Sequence, residues 1–137
     1  GRGLGDLFIV RNAGNTLCST ALGSLEFAVT ALQVPLIVVM GHENCGAIRA
    51  AMSVVKEHKH FSANINKVLQ AIYPSILELD DNCPDLLDAA VRRNVERVVH
   101  ELRHEASPAL MAPQKHGDLM VVGAYYHLHS GEVHWIE

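Results

Sequence analysis

A histidine and a cysteine, His42 and Cys45, lie three residues apart where the sequence pattern changes from strand to helix. The apolar run Leu36–Met40 predicts a buried parallel strand, Gly41 interrupts it, and an apolar helical pattern begins near Cys45. Open α/β sheets bind ligands where such strands end. Imidazole nitrogen and thiolate sulfur are both preferred ligands of Zn²⁺. The spacing therefore predicts a zinc site at this turn, held in part by His42 and Cys45.

Two ligands do not complete a structural or catalytic zinc site, which takes four or three protein ligands respectively. Cys18, in a loop or helix start, is one alternative, but its loop would have to meet tight limits on the metal–ligand distance. We expect Cys18 and Cys83 to be ordinary small side chains near the core or in a loop.

Three histidines near the C-terminus form a second group. With a turn at Ser130-Gly131, His127 and His134 should face each other across two strands, and His129 should share a face with His127. Such a group could capture an adventitious metal ion. We expect it to be a solvated strand face.

The composition excludes several classes of protein. The 137 residues, 49% hydrophobic and 19% charged, suffice for one domain with a core. No apolar run approaches the roughly 18–20 residues that span a membrane, and the first residues lack the apolar core of a secretory signal. A net charge of -4 without a basic stripe argues against nucleic acid and membrane partners. Three cysteines without disulfide-like spacing favour a reducing compartment, so we expect a cytoplasmic protein.

The first part of the chain predicts a βαβ unit. Asp6–Arg11 has the pattern of a short strand, and Ser19 or Thr20 can cap a helix that extends to about Leu32. The strand Leu36–Met40 follows. Two such strands should be parallel and joined by a right-handed crossover.

The remainder predicts helices and a C-terminal hairpin. Helical patterns run from about Cys45 to Val55, from Ile65 to Ile72 until Pro74 kinks or stops the helix, from Asp85 to Arg103, and briefly at Ser107-Pro108. The hairpin strands are expected at Leu119–Leu128 and Val133–Ile136. The whole chain, 1–137, is expected to be a single α/β domain with a mostly parallel sheet flanked by helices.

Four segments resemble the β-class carbonic anhydrases, in the family's order and roughly its spacing: Gly5–Asn15, Gly23–Val29, Gly41–Ala47 and Val121–Tyr126. The resemblance implies a parallel sheet, dimers or higher oligomers, and zinc held by two cysteines and a histidine. It implies hydration of CO₂ by zinc-bound water whose pKa is lowered to about 7. His42 and Cys45 match two of the zinc ligands. Four residues match the surroundings of a small CO₂ pocket, namely Phe8, Ala13, Phe27 and Gly46.

One part of the family pattern is absent from residues 1–137. A Cys-x-Asp-x-Arg segment, which precedes the Gly5–Asn15 segment in the family, supplies the first zinc cysteine and an Asp–Arg pair that orients the metal-bound water. We therefore expect no catalytic residue within this chain, a site completed from outside it, and negligible CO₂ hydration by this chain alone. The family strand with this segment lies between Asp6–Arg11 and Leu36–Met40. We expect direct pairing of those two strands or, in preference, insertion of a strand from another chain.

Functions of two classes follow. The first is zinc-dependent, reversible hydration of CO₂ to bicarbonate by a segment of a β-class carbonic anhydrase, acting as a homo-oligomer or with a complementing chain. The alternative is a non-catalytic carbonic-anhydrase-like module, without metal, that acts in oligomerisation or partner binding. Hydrolysis of another small linear molecule, such as CS₂, on the same fold is a third alternative.

Overall fold

The computed structural model describes residues 2–80 and 82–136, which form helices packed on one mixed sheet. The helices are α1 (Ser19–Thr30), α2 (Gly46–Glu57), α3 (Ala63–Gln70), α4 (Tyr73–Leu77), α5 (Leu86–His104) and α6 (Pro108–His116), and a 3₁₀ turn spans Ala13–Asn15. The strands are β1 (Leu36–His42), β2 (Met120–Tyr126) and β3 (Val133–Ile136). The predicted α/β fold with a C-terminal hairpin is confirmed.

The sheet has the order β1-β2-β3. β1 and β2 are parallel, with His42 beside Tyr126, and β2 and β3 form the antiparallel hairpin, with Tyr126 beside Val133. The crossover between the parallel strands carries α2 to α6. Because parallel strands end at the same edge of a sheet, the turn after His42 lies beside the start of the hairpin.

β1 is buried on one face only, although its apolar composition predicts burial on both. Ile37 and Val39 lie in the core, whereas Leu36, Val38 and Met40 alternate with them and are exposed. The buried face is the one that α5 covers. Because successive side chains of a strand point to opposite faces, β1 has one face in the core and one apolar face that is open.

α5 lies close to the sheet because glycines occupy the contact. A Cβ at Gly41 would lie 2.7 Å from Val95 Cγ2 and 2.8 Å from Val91 Cγ1, and a Cβ at Gly123 would lie 2.9 Å from Val95 Cγ1. Val91 and Val95 are buried there, as the predicted apolar stripe of this helix requires. No larger residue fits at either glycine without displacing the helix.

A buried amide on α5 connects the 3₁₀ turn Ala13–Asn15 to the core. Asn94 is 2% exposed, its Nδ2 donates to the Gly14 carbonyl at 2.9 Å, and its Oδ1 accepts the Ser75 hydroxyl at 3.2 Å. Gly14 has a φ of 70°, and a Cβ there would lie 2.6 Å from Ile72 Cδ1. The turn is therefore fixed to the core by buried polar groups that satisfy one another.

The predicted strand Asp6–Arg11 is wrong, and so is the predicted βαβ unit. Within the described residues, this segment makes one backbone–backbone hydrogen bond, from the Asp6 N–H to the Gly3 carbonyl at 3.3 Å. A β-strand needs a neighbouring strand about 4.8 Å away with which its backbone can form hydrogen bonds. This segment instead contacts α1 through a side chain, with the centroid of the Phe8 ring 6.5 Å from that of the Phe27 ring. Direct pairing with β1 is therefore also wrong. Insertion of a strand from another chain stays a prediction.

Some helix ends differ from the prediction. The N-cap residue of α1 is Cys18 rather than Ser19 or Thr20. α3 ends at Gln70, and Pro74 lies in the first turn of the separate helix α4, where a missing N–H costs nothing. α6 has nine residues instead of one short turn. Within residues 2–80 and 82–136, no helix is long and apolar enough to cross a bilayer.

The hairpin has a different register from the predicted one. His134 lies beside Tyr125 rather than directly opposite His127, because Tyr126 pairs with Val133. His129 lies in the turn beyond β2 and therefore does not share a strand face with His127. Gly131, with a φ of 77°, supplies the left-handed residue of this turn.

Gly41→Ala should lower the free energy of unfolding by about 1–3 kcal/mol, because the added methyl group would overlap Val91 and Val95 in a packed core. Gly23→Ala on α1 is the matched control, since nothing lies within 4 Å of a Cβ at that position and alanine favours the helix. Urea unfolding followed by circular dichroism measures both variants. Equal stabilities would contradict the close packing of α5 on β1.

Asn94→Ala should lower the free energy of unfolding by about 1–3 kcal/mol, because the Gly14 carbonyl and the Ser75 hydroxyl lose a buried partner. Asn64→Ala, at an exposed position on α3, should change it by less than about 0.5 kcal/mol. Amide hydrogen exchange should accelerate in the turn Ala13–Asn15 in the first variant only. Unchanged stability and unchanged exchange in Asn94→Ala would rule out this anchoring role.

Candidate functional site

A cleft of about 580 Å³ lies at the end of β1. One wall is the turn from β1 into α2, and the other is the segment that leads into the 3₁₀ turn. The residues that line it are Val10, Arg11, Asn12, Ala13, Gly14, Asn15, Met40, His42, Cys45, Gly46 and Ala47. Two motifs that are distant in the sequence therefore form one cavity.

His42 is the last residue of β1, and its side chain is exposed. Its Nδ1 lies 2.9 Å from the carbonyl oxygen of Glu43. With the proton on Nδ1, this contact is a hydrogen bond that orients the ring and leaves the Nε2 lone pair free. Metal-binding histidines commonly have such a bond from the second ring nitrogen to a carbonyl or carboxylate.

Cys45 is buried and is the N-cap residue of α2. The turn before it contains Asn44 in the left-handed region, at a φ of 55°, and the Asn44 Oδ1 accepts a hydrogen bond from Arg49 Nη2 at 3.2 Å. A helix N-terminus favours negative charge, which suits a metal-bound thiolate. All three cysteines are free of disulfides.

The donor set at this turn suits zinc as part of a site. His42 offers a nitrogen and Cys45 a sulfur, both of which Zn²⁺ accepts. Within the described part of the chain, no group of three or more His, Cys, Asp or Glu side chains could hold a metal ion. Cys18 is exposed and is not among the residues that line the cleft. Within the described residues, His42 and Cys45 are the two His, Cys, Asp or Glu side chains that line the cleft.

The other candidate residues from the sequence separate into two pairs. Ala13 and Gly46 line the cleft, on opposite walls. Phe8 and Phe27 contact each other and are 45% and 55% exposed, but neither is among the residues that line the cleft. The structure thus brings Ala13 and Gly46 to His42 and Cys45, and leaves the two aromatic rings at α1.

Sequence reasoning did not select Asn15 and Asn94. Asn15 lines the cleft, and among the described residues its buried Nδ2 has no hydrogen-bond partner. This nitrogen is an unsatisfied buried donor and is not exposed to the cleft. Asn94 fixes the turn that contains Asn15. Its signal in the sequence is a polar residue within the apolar stripe of α5, between Val91 and Val95.

Comparison with known proteins identifies a family. The family model for Carbonic anhydrase matches residues 1–133. The carbonic anhydrase of Mycolicibacterium smegmatis is 38% identical over 132 residues, which are 96% of this chain and 64% of that protein. The chain thus spans less than two-thirds of the length of this relative.

Solved structures are similar to the fold. The structure of the beta-carbonic anhydrase CcaA has a TM-score of 0.81 and 27% identity, over 98% of this chain and 69% of that chain. A second similar structure comes from a study of two tetrameric beta-carbonic anhydrases from Sordaria macrospora. It has a TM-score of 0.83 over 98% of this chain and 70% of that chain. Because the sequence identity is 21%, this similarity shows the fold alone. On the family match, the fold and the identity to a curated relative, this chain belongs to the β-class carbonic anhydrase family.

Proposed function

We propose that this chain catalyses the reversible hydration of CO₂ to bicarbonate once its site is completed by residues outside those described. The observation that carries the proposal is that His42 and Cys45 lie on one strand-to-helix turn, in a cleft shared with the segment Val10–Asn15. We propose that the two residues hold Zn²⁺. Bound there, zinc supplies a Lewis acid that makes water a nucleophile at neutral pH.

The residues of this chain would each have a separate task. The Glu43 carbonyl orients the His42 ring through Nδ1, and the burial of Cys45 protects its sulfur from solvent. Ala13 and Gly46 offer small, nearly apolar walls that suit CO₂. Phe8 and Phe27 would bound the pocket on the side of α1.

Asn15 would keep one wall of the cleft in place. It lines the cleft in a left-handed conformation, at a φ of 41°, on the turn that Asn94 fixes. Its Nδ2 is buried and is not open to a ligand, so the task that we propose for Asn15 is positioning.

A strand added along β1 would complete the site. Within the described residues β1 is an edge strand, and it ends at His42. An added strand would satisfy the free backbone groups of that edge and bring its own side chains to the cleft. We propose that it comes from a complementing chain or from another part of the protein, in a homo-oligomer that is cytoplasmic. The uncrosslinked cysteines and the exposed apolar side chains of β1 support this proposal.

A non-catalytic module is the second candidate function. The observation that favours it is that the described residues hold no group of three metal ligands. In that case the open apolar face of β1 would be retained for oligomerisation or partner binding. Zinc binding and CO₂ hydration separate the two candidate functions.

Zinc binding should depend on His42 and Cys45. His42→Ala and Cys45→Ser should each weaken zinc binding at least about tenfold, since even loss of an outer-shell partner costs about 10–100-fold. Cys18→Ser and Cys83→Ser are the matched controls and should bind as before. Competition with a chromogenic chelator measures the affinity, and Co²⁺ substitution tests for the thiolate through its charge-transfer absorption. Loss of that absorption in Cys18→Ser, with its retention in Cys45→Ser, would contradict the assignment.

Hydration should require the completing segment. The chain alone, verified by intact mass, should show negligible CO₂ hydration in stopped-flow measurements, because it lacks a zinc ligand and an orienting acid–base pair. Fusing a segment with the Cys-x-Asp-x-Arg pattern of the family to the N-terminal side of the chain should restore hydration, and Cys45→Ser in the fusion should abolish it. Ordinary enzyme rates from the chain alone would refute the need for completion. A folded fusion that binds zinc and stays inactive would favour the non-catalytic module.

A further inference from the structure

Two histidines of the hairpin have ring nitrogens in contact. His127 Nε2 lies 3.2 Å from His134 Nδ1, and the ring centroids are 4.5 Å apart with an angle of 66° between the planes. The rings meet from diagonal positions, since His134 pairs with Tyr125, two residues before His127. This contact is on the side of β2 that carries Tyr125, whereas His42 is beside Tyr126, whose side chain points to the opposite face.

The separation of the two nitrogens is that of two ligands on one metal ion. Two nitrogens at 2.0–2.1 Å from Zn²⁺ in a tetrahedral arrangement are roughly 3.3–3.4 Å apart. Little movement of either ring is then needed. In the hydrogen-bonded pair, one ring donates its N–H to the nitrogen of the other ring. Both nitrogens can bind a metal ion once the proton of the donor ring has moved to the second nitrogen of that ring.

The surroundings hold both rings and favour a cation. The His127 N–H donates to the Glu132 carbonyl at 2.9 Å, and the Tyr125 ring contacts the His127 ring edge-on at a centroid distance of 4.9 Å. Glu132 Oε2 lies 3.8 Å from His134 Nε2, the nitrogen that would carry a proton in a metal complex. A carboxylate beside that nitrogen is the usual outer partner of a metal-binding histidine.

We propose that His127 and His134 form a second metal-binding site, for Zn²⁺ or a similar divalent transition-metal ion, with water in the remaining positions. His134 is 55% exposed, so a hydrated ion has access. Because the described residues contain no group of three ligands, the site is a two-histidine site. It stands independently of the proposed CO₂ hydration.

A second pair of histidines provides the matched control. His100 and His104 lie one turn apart on α5, with ring centroids 4.7 Å apart, but His100 Nδ1 faces Glu105 Oε1 at 3.4 Å. Both of these histidines are exposed, whereas His127 is half-buried. Because two histidines four residues apart on a helix can themselves bind Zn²⁺, the pair tests whether the ion prefers the hairpin.

The test is a Zn²⁺ titration of untagged protein that carries Cys45→Ser, which removes the first candidate metal site and leaves the hairpin intact. Side-chain NMR signals of His127 and His134 should shift together and saturate at one equivalent. His127→Gln or His134→Gln should weaken binding at least about tenfold, and Glu132→Gln should weaken it less. His100→Gln/His104→Gln should leave the affinity unchanged. A response that is weak and equal at both pairs, or unaffected by His127→Gln, would overturn the proposal.

The only tryptophan of the sequence gives a second measurement on the unmodified chain. Trp135 follows His134 in β3, so Ni²⁺ bound at His134 should quench its fluorescence. The quenching should saturate, and it should require at least tenfold more Ni²⁺ in His127→Gln than in His100→Gln/His104→Gln. Identical quenching curves in these two variants would overturn the proposal. Neither measurement depends on whether the completed protein hydrates CO₂.

Discussion

The close contact between α5 and the sheet is the constraint on which the rest of the structure depends. Val95 touches the positions of Gly41 on β1 and Gly123 on β2, and a methyl group at either would overlap it. Packed interiors have little free volume, so a displacement of the helix is passed on to the strands. Because Gly41 directly precedes His42, the packing of α5 on one face of the sheet sets the position of a candidate ligand on the other.

The two walls of the cleft are held by different interactions. The wall at His42 and Cys45 belongs to a strand that β2 pairs along its length. The wall at Ala13–Asn15 has no such ladder and depends on the amide of Asn94. A satisfied buried polar group fixes a unique geometry, and an unsatisfied one is costly, so this hydrogen bond specifies where the turn lies. The two walls of the cleft, the end of β1 and the turn Ala13–Asn15, are therefore held in position by α5, which is part of neither wall.

Under our proposal, the open face of β1 and the absence of a third metal ligand among the described residues have one physical explanation. Leu36, Val38 and Met40 are exposed on that face, and Leu7 and Ile9 are exposed in the preceding segment. Contiguous apolar surface and an unpaired strand edge both favour association with another strand. One added strand would pair the edge and supply the absent ligand, and the elements connected to it would cover the apolar side chains of the open face. Exposure and chemical incompleteness at the same location then have the same origin.

The sequence alone determined the elements whose sequence signals are local. β1, α5 and the hairpin follow from periodicity and turn residues, and Gly41 located the turn with His42 and Cys45. Tertiary structure decided what depends on partners distant in the sequence. Residues 6–11 have a strand pattern but form no strand, because a pattern does not provide a neighbouring backbone. Asn94 binds Gly14 across 80 residues, and spacing cannot predict this contact because the fold creates the proximity. The turn spacing did predict that His127 and His134 meet, but the pairing of the strands decided that they meet from diagonal positions.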